Sequence, residues 1–252
     1  TQSPASGSSV VPGNLVVTLT ATDASGNTAS TTVTATLTGT GSPSVTYADD
    51  DWSAVAAGAD PDGAGPALVM GCDAFATVQG AINAVGTGGV VNVAAGSYAE
   101  NVTVSRAMTV NGPNAAISPN SGVRVAEAIL VPAATNTSTG AVVTISSSNV
   151  TFAGFTVDGD NAALASSGVG LGGALGTSID AARAVFVQAN GVNTINVAKN
   201  ITKNVVNGIR LEQTTNFFAS GGPAGAVRST GIVVDDNIVQ DTTGTGIRLG
   251  NS

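Results

Sequence analysis

The sequence predicts an all-β protein whose larger part is a solenoid of short stacked coils. Only 10% of the 252 residues are charged and 33 are glycine, whereas ordinary soluble domains carry about 25% charged residues. Short apolar segments separated by glycine and asparagine run through most of the chain. A segment near the C-terminus also occurs twice, which is typical of proteins built from one repeated structural unit.

The first forty residues alternate between apolar and polar side chains, which is the pattern of a half-buried strand. Leu15, Val17 and Leu19 share one face in this pattern, and residues 33–37 repeat it after a turn-forming segment at residues 23–27. That segment has the sequence Asp-Ala-Ser-Gly-Asn, which favours a reversal of the chain. The sequence therefore predicts a β-hairpin.

Residues 3–38 resemble the C-terminal half of a hyalin-repeat domain, an immunoglobulin-like β-sandwich of extracellular adhesive proteins. The residues that carry the resemblance are Pro12-Gly13-Asn14 and the Ala-Thr-Asp-Ala-Ser-Gly-Asn stretch at 21–27. A complete sandwich needs about seven strands. The resemblance therefore implies that residues 1–40 form a partial immunoglobulin-like domain, whose other strands lie upstream or come from another chain.

Residues 41–72 are rich in glycine, alanine, proline and aspartate and are predicted to be an acidic linker. Closely spaced carboxylates beside glycine are the oxygen ligands that Ca²⁺ prefers. The candidate calcium ligands in this segment are Asp49, Asp51, Asp60 and Asp62. Their spacing matches no complete calcium loop, so a solvated linker is the favoured interpretation. The only tryptophan, Trp52, is expected to pack against the start of the next domain rather than to stack on a sugar.

From Asp73 onward the pattern changes to one helix followed by short strands. Phe75, Val78, Ile82 and Val85 recur at helical spacing, and the glycine-rich run after them ends the predicted helix. The predicted strands that follow are residues 90–93, 102–104, 108–110, 142–145 and 150–157. The sequence thus predicts a strand-rich domain with a single helix at its start.

The segment from residue 73 to residue 117 resembles the opening of right-handed parallel β-helix proteins of the pectin methylesterase and pectate lyase type. The resemblance is carried by residues 75–85, 91–104 and 108–115, which include the stretch Gly-Ser-Tyr-Ala-Glu-Asn. It implies that residues 73–252 form a right-handed parallel β-helix whose first coil is capped by the helix. The repeating pattern is still running at the last residue, so this domain is expected to be truncated at its C-terminus.

An internal repeat supports the solenoid independently, because residues 197–211 align with residues 234–249 after one insertion. If each copy is one coil, equivalent residues stack on one another. The isoleucine pairs expected to form apolar columns inside the coils are Ile201 with Ile238 and Ile209 with Ile247. Asn200 and Asn237 are expected at equivalent turns, where asparagine tolerates left-handed geometry and its side-chain amide can bond to the next coil.

The chain has no histidine, which excludes mechanisms that need a serine–histidine or cysteine–histidine pair. The resemblance implies paired aspartates for an esterase, and Asp241 is the only candidate, because residues 240–242 match a fragment around the acid/base aspartate. No segment matches the nucleophile motif, and the repeat places Asp241 opposite Asn204 at a turn. For a lyase, Asp158 and Asp160 are the candidate Ca²⁺ ligands. The sequence therefore leans against an enzyme.

Arg210 and Arg248 occupy the same place in successive repeats. Their neighbours are predicted to point inward, so both guanidinium groups should point outward and could bind uronate carboxylates in a bidentate manner. The alternative is that they only keep the surface hydrated. Two long insertions, at 159–182 and 214–230, are expected to project from the coils. In the second, Phe217 and Phe218 are candidates for a sugar-binding platform or for an anchor of the loop.

The net charge of −8 and the two lysines exclude a nucleic-acid partner, and no apolar run reaches the length of a membrane span. The expected role is that of an adhesion or glycan-binding scaffold within a large secreted or cell-surface bacterial protein. Its partner would be an extracellular glycan or a neighbouring surface protein. The alternatives are a carbohydrate-active enzyme on acidic polysaccharide and a self-assembling filament or layer subunit. Calcium is the only candidate cofactor.

Overall fold

A computed structural model describes residues 1–3, 13–37, 41–165, 179–188, 191–213 and 229–251. The first strands form an antiparallel sheet of β1 (Gln2–Ser3), β2 (Gly13–Thr22) and β3 (Thr28–Leu37). One carboxylate oxygen of Asp23 accepts hydrogen bonds from the amides of Ser25 and Asn27, both at 2.9 Å, and shapes the turn between β2 and β3. The predicted hairpin is confirmed, although Val16 and Val33 on it are 52% and 54% exposed.

The other described residues form three parallel sheets. The strands are β4 (Val45–Ala48), β5 (Ala74–Phe75), β6 (Val90–Val93), β7 (Gly96–Ala99), β8 (Val102–Val104), β9 (Met108–Asn111), β10 (Ala128–Val131), β11 (Asn136–Ile145), β12 (Val150–Ala153), β13 (Thr156–Asp158), β14 (Ala181–Gln188), β15 (Ile195–Ala198), β16 (Ile201–Lys203), β17 (Val205–Gln213), β18 (Ile232–Asp235), β19 (Ile238–Val239) and β20 (Thr242–Asn251).

The chain visits the three sheets in turn, so that every three strands make one coil. The first sheet has the order β5-β4-β6-β9-β12-β15-β18, the second β7-β10-β13-β16-β19, and the third β8-β11-β14-β17-β20. From β6 to β20 the described residues therefore form five coils, numbered 1 to 5 below. The predicted all-β, parallel β-helix-like architecture is confirmed.

Part of the segment predicted as a linker belongs to the first sheet. Strand β4 pairs in parallel with β6, from Val45 opposite Val90 to Ala48 opposite Val93. Strand β5 pairs in parallel with the other edge of β4. A short 3₁₀ helix at Asp50–Ala54 follows β4. These elements bring the acidic residues of the segment against the first coil.

The predicted helix is present as α1 (Val78–Ala84), which starts three residues later than Phe75 because Thr77 caps it. The Thr77 hydroxyl oxygen accepts a hydrogen bond from the Gly80 amide at 3.1 Å, a favourable way to satisfy a helix N-terminus. Its buried side chains, which include Val78 and Ile82, join the core of the stack. The helix thus caps the apolar interior of the first coil.

The core consists of side chains stacked in register along the sheets. In the third sheet the column Val102, Val143, Val185, Ile209 and Ile247 follows from the strand pairing. Its first four members are at most 1% exposed, whereas Ile247 is 49% exposed because β20 is the outermost described strand. Each coil therefore buries its apolar side chains by stacking on its neighbours.

The second sheet corrects one prediction. Ile201 and Ile238 do pair in adjacent coils, but both are only half-buried and neither belongs to the core. The inward positions are taken by the next residues, Thr202 and Val239. The side-chain period of a strand is two, so a shift of one residue at the preceding corner exchanges the two faces.

The corners between the first and second sheets are held by an asparagine ladder. The Asn200 side-chain oxygen accepts from the Phe155 amide at 3.0 Å, and its nitrogen donates to the Phe152 carbonyl at 3.2 Å. The same nitrogen and the Asn200 amide donate to the Asn237 side-chain oxygen at 3.1 and 2.9 Å. The predicted bonding between coils is confirmed.

Left-handed backbone at these corners belongs to the residue before each asparagine. Lys199 has φ 56° and Asp236 has φ 52°, and Gly154 occupies the equivalent corner with φ 84°. Glycine adopts this conformation without strain, which explains why the strand predicted over 150–157 is divided into β12 and β13. The asparagines therefore serve as hydrogen-bonding groups, and their neighbours make the turn.

The segment between β9 and β10 crosses the outside of later coils. The Ser118 hydroxyl and the Asn120 side-chain amide donate to one Asp236 carboxylate oxygen at 2.6 and 2.9 Å. Arg124 donates to the Lys199 carbonyl at 2.9 Å. These contacts link coil 2 to the corners of coils 4 and 5.

Candidate ligand-binding surface

A group of arginines lies on the outer face of the third sheet. Phe186, Arg210 and Arg248 are opposite one another on β14, β17 and β20. Neighbouring strands are about 4.8 Å apart, so these side chains form a row that follows the axis of the stack. The predicted alignment of Arg210 with Arg248 is confirmed. We call the group of Arg183, Phe186, Arg210, Glu212 and Arg248 the arginine surface.

One carboxylate holds two of the guanidinium groups. Arg210 Nη2 lies 2.9 Å from Glu212 Oε1, and Arg183 Nη2 lies 3.7 Å from Glu212 Oε2. Arg183 also donates to the Thr139 carbonyl at 2.8 Å and stacks on Phe186, with its guanidinium carbon 4.4 Å from the ring centroid. Such contacts fix the planes of both guanidinium groups.

The charge of this surface is unbalanced. Three arginines face one carboxylate, and the side chains of Arg183, Arg210 and Glu212 are only 12%, 14% and 7% exposed. Burial lowers the pKa of Arg183, the nearby charges of Arg210 and Arg248 lower it further, and Glu212 opposes them. Arg248 is exposed and has no ion-pair partner in the described part of the chain. An added anion would relieve the repulsion among these groups.

The other predicted ligand residues, Phe217 and Phe218, lie outside the described residues, as does most of the second insertion. Asp241 is placed at the corner before β20, with φ 51°, and Asn204 has the equivalent corner in the preceding coil with φ 53°. The backbone position of Asp241 is thus explained by the turn it makes.

Of the two candidate calcium ligands proposed for a lyase, Asp158 at the end of β13 uses its carboxylate within the protein. Asp158 Oδ2 lies 2.9 Å from Lys203 Nζ, and Asp158 Oδ1 accepts from the Asn204 side-chain amide at 2.8 Å and from the Asp160 amide at 3.1 Å. A lysine ammonium beside the carboxylate competes directly with a metal cation. This arrangement does not fit a calcium site at Asp158.

The acidic residues of the 41–72 segment fall into two turns. Asp49 Oδ1 accepts from the Asp51 amide at 3.1 Å, and Asp60 Oδ1 accepts from the Asp62 amide at 3.2 Å. Carboxylate oxygens of Asp49, Asp50 and Asp51 come within 4.8 Å of one another. The structure therefore brings Asp49 and Asp51 together, while Asp60 and Asp62 are not part of that group.

A cavity on the outside of the first coil was missed by sequence reasoning. Its volume is about 410 Å³, and we call it the first-coil pocket. The side chains that characterise it are Tyr47, Asp49, Trp52, Asp62 and Asn92. The available signal was the single tryptophan, which lies beside carboxylates and close to a tyrosine in the sequence.

No family model matches the chain, and the searches of curated proteins and of solved structures find no match either. The part of the sequence-based prediction that the structure supports is therefore the stacking of parallel strands into coils. Among the described residues, no helix has the length and apolar character needed to cross a membrane.

Proposed function

We propose that this protein is an extracellular scaffold that binds anionic glycans on the arginine surface. The observation that carries the proposal is the register of Arg210 with Arg248 on adjacent strands, with Arg183 beside them. Three of the eight basic residues of a chain with net charge −8 are thus gathered on one face of one sheet. None of these three side chains belongs to the apolar core.

The spacing of the row suits a polymer. Arg210 and Arg248 lie in register on adjacent strands, about 4.8 Å apart along the axis of the stack, and Arg183 lies over Phe186, the next residue of the row. A guanidinium group binds a carboxylate through two parallel hydrogen bonds, so a chain of uronic acid residues lying along the axis would meet several of them. A single small anion would use only part of this surface.

The surface is also organised before any ligand arrives. Glu212 and the Phe186 ring restrain Arg183 and Arg210, whose side chains are largely buried. Rigid binding groups lose less conformational entropy when a ligand binds. Arg248 is exposed and supplies a further positive charge at the edge of the surface.

The resemblances noted in the sequence agree with this proposal. Likeness to pectin methylesterases and pectate lyases favours an acidic polysaccharide, and likeness to hyalin repeats favours a secreted or cell-surface location. The low content of charged residues, 10%, favours the same setting. We propose adhesion, with the coils acting as a rigid support for the binding face.

Binding to a linear oligogalacturonate tests the proposal, with a neutral dextran oligosaccharide as the reference ligand. We expect calorimetry to detect binding of the oligogalacturonate, and the affinity should fall as salt is added. Arg210→Ala and Arg248→Ala should each weaken binding about tenfold, because hydrogen bonds to charged groups contribute about 1.5–3 kcal/mol.

Lys203→Ala is the matched control, because it removes one positive charge from the second sheet. Its affinity should remain within about twofold of the original protein, which is a small electrostatic effect at a distance. Equal binding of dextran, or equal losses for Arg248→Ala and Lys203→Ala, would contradict the proposal. Circular dichroism of each variant checks that the strands are intact.

A further inference from the structure

The first-coil pocket has the size and walls of a site for a small ligand. Its volume of about 410 Å³ falls in the range of about 300–1,000 Å³ that is usual for such sites. Tyr47 and Trp52 provide aromatic surfaces, and Asp49, Asp62 and Asn92 provide polar groups. All of these residues lie in the described part of the chain.

The aromatic walls are held by regular backbone structure. Tyr47 is paired with Asn92 across β4 and β6, and its amide donates to the Asp73 carbonyl at 2.7 Å. Trp52 lies in the 3₁₀ helix, and its amide donates to the carbonyl of the capping residue Asp49 at 3.1 Å. The two rings are therefore placed by the folding of the first coil.

Several polar atoms at the pocket have no hydrogen-bond partner among the described residues. Asp49 uses Oδ1 as a helix cap, and Asp62 uses Oδ2 to accept from the Ala67 amide at 3.2 Å. The second carboxylate oxygen of each residue, the Tyr47 hydroxyl and the Asn92 side-chain amide remain available. These groups can accept hydrogen bonds from a ligand.

The charge of the pocket selects among ligands. Neither lysine nor arginine is among its lining residues, whereas carboxylates of Asp50 and Asp51 lie within 4.8 Å of that of Asp49. Burial raises the pKa of Asp49, the hydrogen bond from the Asp51 amide opposes this, and the charges of Asp51 and Asp50 raise the pKa further. A cation would offset this repulsion, and the faces of tryptophan and tyrosine also attract cations.

We infer that the first-coil pocket binds a protonated amino sugar, with the ring against Tyr47 and Trp52 and the ammonium group at Asp49 and Asp62. The aromatic rings pack against the apolar face of the sugar. The ammonium group donates to the carboxylates, and the hydroxyl groups of the sugar are left for Asn92. This site is separate from the arginine surface and takes a ligand of opposite charge.

Trp52 makes the pocket directly observable, because it is the only tryptophan of the chain. Titration with glucosamine and with a short β-1,4-linked glucosamine oligomer at pH 6 should change its fluorescence. Glucose and N-acetylglucosamine have the same ring without a positive charge. We expect both to bind at least about tenfold more weakly than glucosamine, since hydrogen bonds to a charged group are the stronger ones.

Two variants and one control test the role of the carboxylates. Asp49→Asn keeps a side chain that caps helices well, and Asp62→Asn keeps an oxygen for the Ala67 amide. Each should weaken glucosamine binding about tenfold. Asp241→Asn removes the same charge from an exposed residue of coil 5 outside the lining, so it should leave glucosamine binding within about twofold of the original protein.

Three results would overturn the inference. One is equal binding of glucose, which would make the pocket a neutral sugar site. Another is equal binding of methylammonium and glucosamine, which would make it a general cation site. The third is glucosamine binding, detected by calorimetry, that leaves Trp52 fluorescence unchanged and that Asp49→Asn does not weaken.

Discussion

The arginine surface and the first-coil pocket are opposites built on one scaffold. The first gathers guanidinium groups on β14, β17 and β20, and the second gathers carboxylates and aromatic rings near β4 and β6. Yet the residues that characterise both sites lie outside one continuous apolar core, which runs from Ala48 to Leu211. The inward positions fix the coils, and the outward positions are open to different chemistry.

The two sites also differ in how they arise. The arginine surface is repeated, because equivalent residues of coils 4 and 5 stack in register. The first-coil pocket occurs once, because it needs the segment around Trp52 to fold back on the first coil. A repeat can extend a surface along the stack, whereas an insertion at one coil can form a pocket for a single small ligand.

The largest expected effect comes from breaking the core that the two sites share. Phe152 is fully buried and stacks on Phe155 with ring centroids 4.5 Å apart. Phe152→Ala should lower the free energy of unfolding by about 3–5 kcal/mol, because it leaves a cavity. Urea unfolding followed by circular dichroism measures the loss.

Phe186→Ala is the control for this change, because Phe186 lies on the outer face and is only half-buried. It should cost less stability than Phe152→Ala, although it removes the ring under Arg183. Trp52 fluorescence can follow unfolding at the first-coil pocket in the same experiment. If Phe152→Ala shifts the circular dichroism transition and leaves the Trp52 transition in place, the two sites rest on parts of the stack that unfold separately.

A smaller effect is expected from a change at Asn200, which lies at a corner of the coil that also carries Arg210. Asn200→Ala leaves the buried Phe155 amide and Phe152 carbonyl without their partners. The expected cost is about 1–3 kcal/mol for each buried group left unsatisfied. Because Asn200 lies in coil 4, oligogalacturonate binding should weaken more than glucosamine binding.

Asn196→Ala is the matched control, since the Asn196 side-chain oxygen is buried without a hydrogen-bond partner among the described residues. This change should alter the free energy of unfolding by less than about 0.5 kcal/mol. Equal destabilisation by the two variants would show that the asparagine ladder does not hold the coils together.

The sequence predicts the repeated features of this molecule better than the unique ones. The two copies of the repeat place Asn200 with Asn237 and Arg210 with Arg248, and the structure pairs them so. Stacked coils make equivalent residues neighbours, so aligning the repeat already predicts contacts.

The inward-facing column predicted at Ile201 and Ile238 is the part of the repeat that the alignment places wrongly. Alignment finds which residues pair, but the face each one occupies depends on the backbone of the corner before it. There Lys199 adopts a left-handed conformation and Asn200 turns inward to its partners. The composition of the 41–72 segment indicated a linker, because the pairing of Tyr47 with Asn92 and the hydrogen bond from Ser97 to Asp50 join it to distant strands and leave no local pattern.

The smallest expected effect concerns stability: two carboxylates, Asp236 and Asp49, should make it depend on pH with opposite signs. Hydrogen bonds from Ser118 and then Asn120 lower the pKa of Asp236 from its ordinary value of 3.8. The stability it contributes is therefore present above that value and is lost as the pH falls through the lower pKa of the folded state. Asp236→Asn should lower the urea midpoint at pH 7 and converge with the original protein in strong acid.

Asp49 in the first-coil pocket should behave in the opposite way, because burial raises its pKa above 3.8. A raised pKa stabilises the fold below the ordinary value, and this contribution is lost as the pH rises through the pKa of the folded state. Asp49→Asn should therefore raise the urea midpoint above that of the original protein at pH 7, and this difference should disappear in acid. Both shifts should be small, because solvent screens these groups. The same sign for both variants would mean that the pocket does not concentrate negative charge.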